Sequence, residues 1–401
     1  KKWTMSFWMK VSRLHYTDGG GGNSRQVFGQ TLSNYCRFII TGSSQKIQFY
    51  ESQGLNLIPS MVFRDFNAWY HVVVVIDTAQ ATASDRAKIY INGEQLTAFD
   101  TAVYPSQNAD LHFNKSGTHE FGGSSAYGGY DYFNGLLSHV HFSDGYAYAA
   151  SDFGSTDSTT GEWKINTSPS FTLGTNGFTI LKDGNTITDQ SSNSNDFTVS
   201  TGTLTKTEDN PSNIFATWNP LAQPNGTLSN GNTSVNGVED TPATIGVTSG
   251  KYYWEYKRTN TGNSIHWGIC STKNGFNKTA TQMLNGESNS TGAAIYINES
   301  GTGTTGYANA GGFSSVSYSG ISSVSISNGD IVGCALDIST SSGTVTFYKN
   351  GSSLGSVTFT YDQETPVFPF IRNNSGSTGD TNFGNGYFGT TAVSSAGTNA
   401  S

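Results

Sequence analysis

Residues 88–96 read KIYINGEQL and residues 346–354 read TFYKNGSSL. In each stretch a short β-prone run meets Asn-Gly, and the copies share Tyr90/Tyr348, Asn92/Asn350, Gly93/Gly351 and Leu96/Leu354. A two-residue type I′ turn needs positive φ at both central positions, which Asn and Gly tolerate, and its twist matches the strands it joins. Each copy therefore predicts a β-hairpin. The strand before each hairpin carries an aspartate after an apolar run, Asp77 in VVIDT and Asp337 in ALDIS. The same grammar thus occurs twice, with the turn asparagines 258 residues apart (350 − 92). Two related sandwich architectures account for that better than one.

The rest of the chain reads the same way. Short apolar runs separated by Gly-rich polar breaks occur at TMSFWMKV (4–11), YCRFII (35–40), KIQFYE (46–51), WYHVVVVID (69–77), KIYI (88–91) and LLSHVHF (136–142). This is the spacing of a sandwich or barrel. Val72–Ile76 is apolar on both faces, which predicts a central strand covered on each side. A second series runs through GKYYWEYKR (250–258), IHWGIC (265–270), AAIYI (293–297), DIVGCALDIS (330–339), GTVTFYKNG (343–351) and PVFPFI (366–371). Charged residues make up only 12% of the 401, and 48 residues are Gly, so the material for wet helix faces is scarce. The expected fold class is all-β, two antiparallel concanavalin-A-like jelly-roll sandwiches in tandem. The first spans 1–153 and the second 213–389, followed by a polar tail at 390–401. Between them, 154–212 reads as a connector whose runs GFTIL (177–181) and DFTVS (196–200) are expected to be strands completing the first sandwich, since a long structureless linker is unusual in compact domains. The opening KKWTMSFWMK reads as a strand already in progress, from which residues upstream of Lys1 are expected.

The net charge of −8, with no Lys/Arg cluster, argues against a nucleic-acid partner. No apolar run reaches the roughly 20 residues of a membrane-spanning helix, so no membrane insertion is expected. Cys36, Cys270 and Cys334 lack any CxxC spacing and are too few for a disulfide framework. Buried free thiols are favoured over a bond between Cys270 and Cys334.

The segments WYHVVVVIDTAQATASDRAKIYINGEQL and YFNGLLSHVHFSDGYAYAASDFG resemble the laminin-G-like, concanavalin-A-like module of tailed-bacteriophage structural proteins. The second half resembles a SPRY domain through SGKYYWEY (249–256), HWGIC, GDIVGCALDISTSSGTVTFYKNGSSLG (329–355), VFPFI and NFG (382–384). The linking pattern FGSTDSTTGEW…GTNGF…FATWNPL (153–221) is similar to what joins these modules in phage virion proteins. The resemblance implies a virion structural protein, whether tail fibre, head fibre or capsid decoration, located in the extracellular particle. It also implies other virion proteins and a host-surface glycan or receptor as partners, and a homo-oligomer, with a trimer favoured for a fibre. A bacterial carbohydrate-binding adhesin, secreted or on the cell surface, is the alternative reading, and a glycan hydrolase a third.

Hydrolysis of glycans by such sandwiches needs two carboxylates at fixed separation. Glu94, Glu120, Glu255 and Glu299 are isolated in the sequence, and no GxSxG, HExxH or P-loop occurs, so no catalysis is expected. His71 in WYHVVVV reads as a packing residue. Sugar recognition pairs aromatic faces with Asn, Asp or Gly-rich loops, a combination found at Tyr127, Tyr130, Asp131, Tyr132 and Asn134. In the SPRY-like half, Trp267, Tyr307, Arg372 and Asn373 are expected on loops toward the usual partner-binding surface of such domains. His139 and His141 share a strand face if alternation holds and are weak metal candidates, with His112, His119 or Asp144 nearby. The resemblance allows calcium at Asp77, Asp85 or Asp131, although the dense DxDxDG spacing is absent.

Overall fold

The structure, a computed structural model, describes residues 1–12, 24–31, 36–42, 44–65, 67–124, 132–182, 186–202, 204–222, 225–238, 240–260, 265–272, 292–299, 304–305, 313–321, 325–373 and 376–393. Two compact units divide the chain, Lys1–Ile214 and Phe215–Ser401. Both are antiparallel β-sandwiches, and the described residues contain strands and short 3-10 turns but no α-helix.

The first unit contains β1 (Lys2–Val11), β2 (Ser24–Thr31), β3 (Cys36–Thr41), β4 (Lys46–Glu51), β5 (Leu55–Pro59), β6 (Tyr70–Asp77) and β7 (Ala87–Ile91). It continues with β8 (Glu94–Gln95), β9 (Phe99–Val103), β10 (Thr118–Phe121), β11 (Gly135–Asp144), β12 (Gly154–Thr156), β13 (Trp163–Ile165) and β14 (Phe178–Ile180). A back sheet runs β14-β11-β1-β6-β7-β8 and a front sheet runs β10-β2-β3-β4-β5-β9. Alternation decides what lies between them. Met5, Phe7 and Met9 of β1 meet Phe38 and Ile40 of β3, Ile47 and Phe49 of β4, and Leu55 and Leu57 of β5 in one buried core.

The strand β6 is buried at every position because it is covered twice. Val72, Val74 and Ile76 enter the main core, while Val73 and Val75 turn outward into a second cluster with Ala150 and Phe153, flanked by Tyr148, Trp163 and Phe171. Residues 146–171 thus form a strap over the back sheet. Trp163 anchors it: its ring lies so close to Gly93 and Gly154 that a Cβ on either would overlap it, and its Nε1–H donates to His71 Nδ1 at 3.0 Å. Beyond the strap, GFTIL supplies β14 at the back-sheet edge. DFTVS, by contrast, forms no strand. Phe197 is held by a ring contact to Phe178 at 4.9 Å and a single backbone bond to Ile187 O, so side-chain packing has replaced strand pairing there.

The second unit contains β15 (Thr227–Ser229), β16 (Ser234–Asn236), β17 (Thr241–Pro242), β18 (Lys251–Asn260), β19 (Ile265–Thr272), β20 (Gly292–Glu299), β21 (Thr304–Thr305) and β22 (Phe313–Ser319). It ends with β23 (Ile331–Asp337), β24 (Ser342–Lys349), β25 (Ser352–Tyr361), β26 (Val367–Asn373), β27 (Thr378–Asn382), β28 (Tyr387–Phe388) and β29 (Thr391–Ala392). The sheet β15-β16-β27-β18-β23-β24-β25-β22 packs on the sheet β17-β26-β19-β20-β21. Cys334 enters the core between them, whereas Cys270 faces a separate cluster with Ala294, Tyr296 and Phe370. Cys334 points from one sheet into the core while Cys270 points from the other sheet away from it, which keeps these thiols apart, and all three cysteines are free and buried.

Both Asn-Gly pairs form the expected turns, with φ of 48° and 84° at Asn92-Gly93 and 48° and 80° at Asn350-Gly351. Each asparagine also reaches sideways. Asn92 N–H donates to His71 O at 2.9 Å while its Oδ1 accepts His71 N–H at 2.8 Å. Asn350 repeats the pair with Ile331, at 2.8 Å in both directions. The two aspartates are matched as well: Asp77 pairs across strands with Lys2 at 3.0 Å, and Asp337 with Lys251 at 3.0 Å.

Candidate binding face

Among the described residues the strap covers the back sheet, and the front sheet carries the more open face of the first unit, at β4 and β5 above all. Because Phe38, Ile40, Ile47, Phe49, Leu55 and Leu57 point inward, their neighbours Arg37, Gln48, Tyr50, Asn56 and Ile58 point outward, each half-buried. Strand registers align Glu120, Gly29, Arg37, Tyr50, Asn56 and Val103 in one row across the sheet. Side chains are linked along this face. Arg37 Nε donates to Gln26 Oε1 at 3.0 Å, Gln26 Nε2 donates to Gly123 O at 2.7 Å, and Gln48 Nε2 donates to Asn56 Oδ1 at 2.9 Å. Tyr132, 49% exposed, pairs with Gln26 through a β-bridge and lies over Gly123, which extends the face at its margin. The result is a shallow surface of guanidinium, amides and phenol rings.

Of the residues expected to bind from sequence, Tyr132, Asn134, Trp267, Arg372 and Asn373 are described, and Tyr127, Tyr130, Asp131 and Tyr307 lie outside the described residues. Tyr132 adjoins the front face; Asn134 is half-buried and its carbonyl accepts Ser12 N–H. Three expectations for the second unit are corrected, since Trp267, Arg372 and Asn373 all lie on strands rather than loops. Trp267 is on β19, not on a loop, and is fully buried against Trp218 and Tyr256, at 6.0 and 5.3 Å, because Ile265, Trp267 and Ile269 share the inward face. Asn373 is equally buried: Oδ1 accepts Val238 N–H at 2.7 Å and Nδ2 donates to Ser377 O at 3.0 Å, a structural staple. Arg372 remains half-buried on the opposite face of that sheet, 3.8 Å from Asp240.

The histidine pair is changed by backbone geometry. His139 takes φ of +47° at a bulge of β11 opposite β1, and the two rings stand 6.3 Å apart. His141 is buried beneath the strap, stacked on Phe153, with Nδ1 3.0 Å from Thr179 Oγ1. Burial lowers its pKa to about 3. Among the described residues no group of three or more His, Cys, Asp or Glu is arranged to hold a metal. Asp77 is engaged by Lys2 and Gln80, and Asp85 by Lys88 at 2.9 Å. The sequence reading missed the front-face row altogether; its signal, Arg-x-Ile, Gln-x-Tyr and Asn-x-Ile alternating with core residues, is the ordinary pattern of a solvated strand face.

A family model described as the concanavalin A-like lectin/glucanases superfamily matches residues 1–152, and the SPRY domain model matches residues 233–386. The chain therefore carries a concanavalin-A-like sandwich followed by a SPRY sandwich. Among solved structures it is similar to the SPRY domain of human HERC1, at 16% identity and a TM-score of 0.29, covering 41% of this chain and 94% of that one. It is also similar to the TRIM65 PSpry domain, at 14% identity and a TM-score of 0.28, covering 42% and 89%. A third is the native heptameric SAP-like pentraxin from Limulus polyphemus, at 14% identity and a TM-score of 0.24, covering 37% and 65%. No curated protein matches the chain.

Proposed function

We propose that the chain is a non-catalytic virion subunit of a tailed bacteriophage whose first sandwich binds a host-surface glycan on its front face. The observation that carries the binding reading is the row Glu120, Arg37, Tyr50 and Asn56, flanked by Gln48 and Tyr132, with the buried Gln26 amide lying over Gly29 and holding Arg37 in place. Planar amides and a guanidinium match paired sugar hydroxyls, and phenol rings match apolar sugar faces. The described carboxylates of this face, Glu120 and Asp100, belong to β10 and β9, the two edge strands. Five strand spacings of ~4.8 Å separate them by about 24 Å, far beyond the ~5–10 Å that glycoside hydrolysis uses. The virion assignment is supported by the pairing of the two modules through FGSTDSTTGEW…FATWNPL, and a homotrimer with other virion proteins as neighbours is its expected setting.

Calorimetric titration with surface polysaccharide from candidate hosts tests the face. Tyr50→Ala and Arg37→Ala are each expected to weaken binding about tenfold, the loss of ~1.4 kcal/mol per contact. Unchanged affinity in both variants rejects it. Sedimentation and the neighbouring chains in purified particles separate a virion subunit from the adhesin reading, and release of reducing sugar overturns the non-catalytic one.

A further inference from the structure

Lys10 is the least expected buried side chain of the first unit. It lies on the outward side of β1, since Met9 and Val11 enter the core, yet its side chain is only 2% exposed. Asp209 and Asn67, from distant parts of the chain, both contact its Nζ, and Trp69 orients Asp209. Asp209, 4% exposed, places Oδ2 at 2.7 Å from Nζ. Trp69 Nε1–H donates to the other oxygen of Asp209 at 2.9 Å, which fixes the carboxylate so that Oδ2 faces the lysine. Asn67, just before β6, places its side-chain Oδ1 at 3.3 Å from the same Nζ, so the amide carbon is one bond from that contact. A buried amine, a neighbouring carboxamide and an oriented carboxylate form a set that does more than pair charges.

We propose that Lys10 and Asn67 form an intramolecular isopeptide bond, with Asp209 as the proton carrier. Asp209 Oδ2 accepts a proton from the Lys10 ammonium, and the neutral amine attacks Asn67 Cγ. The Nζ–Cγ bond forms and the Cγ–Nδ2 bond breaks; two protons move from Nζ through Asp209 to Nδ2, which leaves as ammonium. Atoms and charge balance without oxidant, metal or cofactor. Burial favours the first transfer, because desolvation holds the Lys10 pKa below the ordinary lysine value against the opposing pull of Asp209. Asp209 belongs to the last stretch of the first unit and Lys10 to its first strand, so the reaction becomes available only once the chain from β14 to Asp209 has folded back over β1. The bond then ties β1 to the loop that leads into β6, two segments 57 residues apart.

Intact mass of the full chain under denaturing conditions decides it. The expected mass is one ammonia below that of the sequence, and proteolysis yields a branched peptide joining the segments that contain Lys10 and Asn67. Lys10→Arg keeps a cation facing Asp209 without an amine nucleophile, and Asn67→Ala removes the half-exposed acceptor; both are expected at the full mass of their sequences. Wild-type protein at full mass overturns the proposal. So does a loss of water with Lys10 joined to Asp209, or a loss of ammonia that persists in Lys10→Arg. The wild-type measurement stands even if a variant fails to fold.

Discussion

Asn92 and Asn350 show how much one residue can decide. Each supplies a positive φ that only a few side chains tolerate, and each extends its side chain as if it were a further residue of the adjoining strand, closing a reciprocal pair with His71 or Ile331. The two contributions are separable. Asn→Gly at either site keeps the turn and removes the clamp, at a cost of about 1–2 kcal/mol, while Asn→Ala adds roughly 1 kcal/mol of backbone strain. Urea denaturation of the four variants is expected to place each Ala variant below its Gly counterpart. Gly93 is further constrained, because Trp163 occupies the space a Cβ would need.

At the scale of elements, the strap over the back sheet depends on two neutral histidines. Trp163 Nε1–H donates to His71 Nδ1, so that nitrogen carries the lone pair and Nε2–H is left to donate to Ser6 Oγ at 2.9 Å. Protonation would set two N–H donors against each other. Burial lowers both the His71 and the His141 pKa to about 3, below the ordinary value of 6.5. In the unfolded chain each takes up a proton near pH 6.5, which the folded state refuses until about pH 3. The first unit is thus at full strength above pH 6.5 and weakens steadily as pH falls toward 3, by on the order of 5 kcal/mol for each histidine. Thermal unfolding followed by tryptophan fluorescence across this range checks the slope, and His71→Gln, which retains an acceptor and a donor, is expected to flatten it. Trp163→Ala is expected to cost about 3–5 kcal/mol by leaving Val73, Val75 and His71 uncovered.

For the molecule as a whole, the three cysteines give a simple check. Burial raises the pKa of Cys36, Cys270 and Cys334, and none is bonded. A maleimide is expected to label none of them in the native chain and all three after denaturation, with thermal stability unaffected by reductant. Fast native labelling of Cys270 would show that the outer cluster with Ala294, Tyr296 and Phe370 opens readily.

The amino-acid order by itself determined the elements whose causes are local. Alternation marked β1, β3, β4, β7 and the long strands of the second unit, Asn-Gly marked both hairpins, and the doubly apolar Val72–Ile76 marked a strand covered on two sides. What it left undecided depends on distant partners. DFTVS carries strand-like residues but found ring packing in place of a ladder, Trp267 looks like a loop aromatic until the register of β19 turns it inward, and the bulge at His139 breaks an alternation that the sequence implies. Neither the front-face row nor the Lys10 cluster has a local signature, because each gathers side chains from strands or loops far apart in the chain. Only the registers of β10, β2, β3, β4 and β5, and the return of residue 209 over β1, bring them together, and those are set by long-range packing rather than by neighbours in sequence.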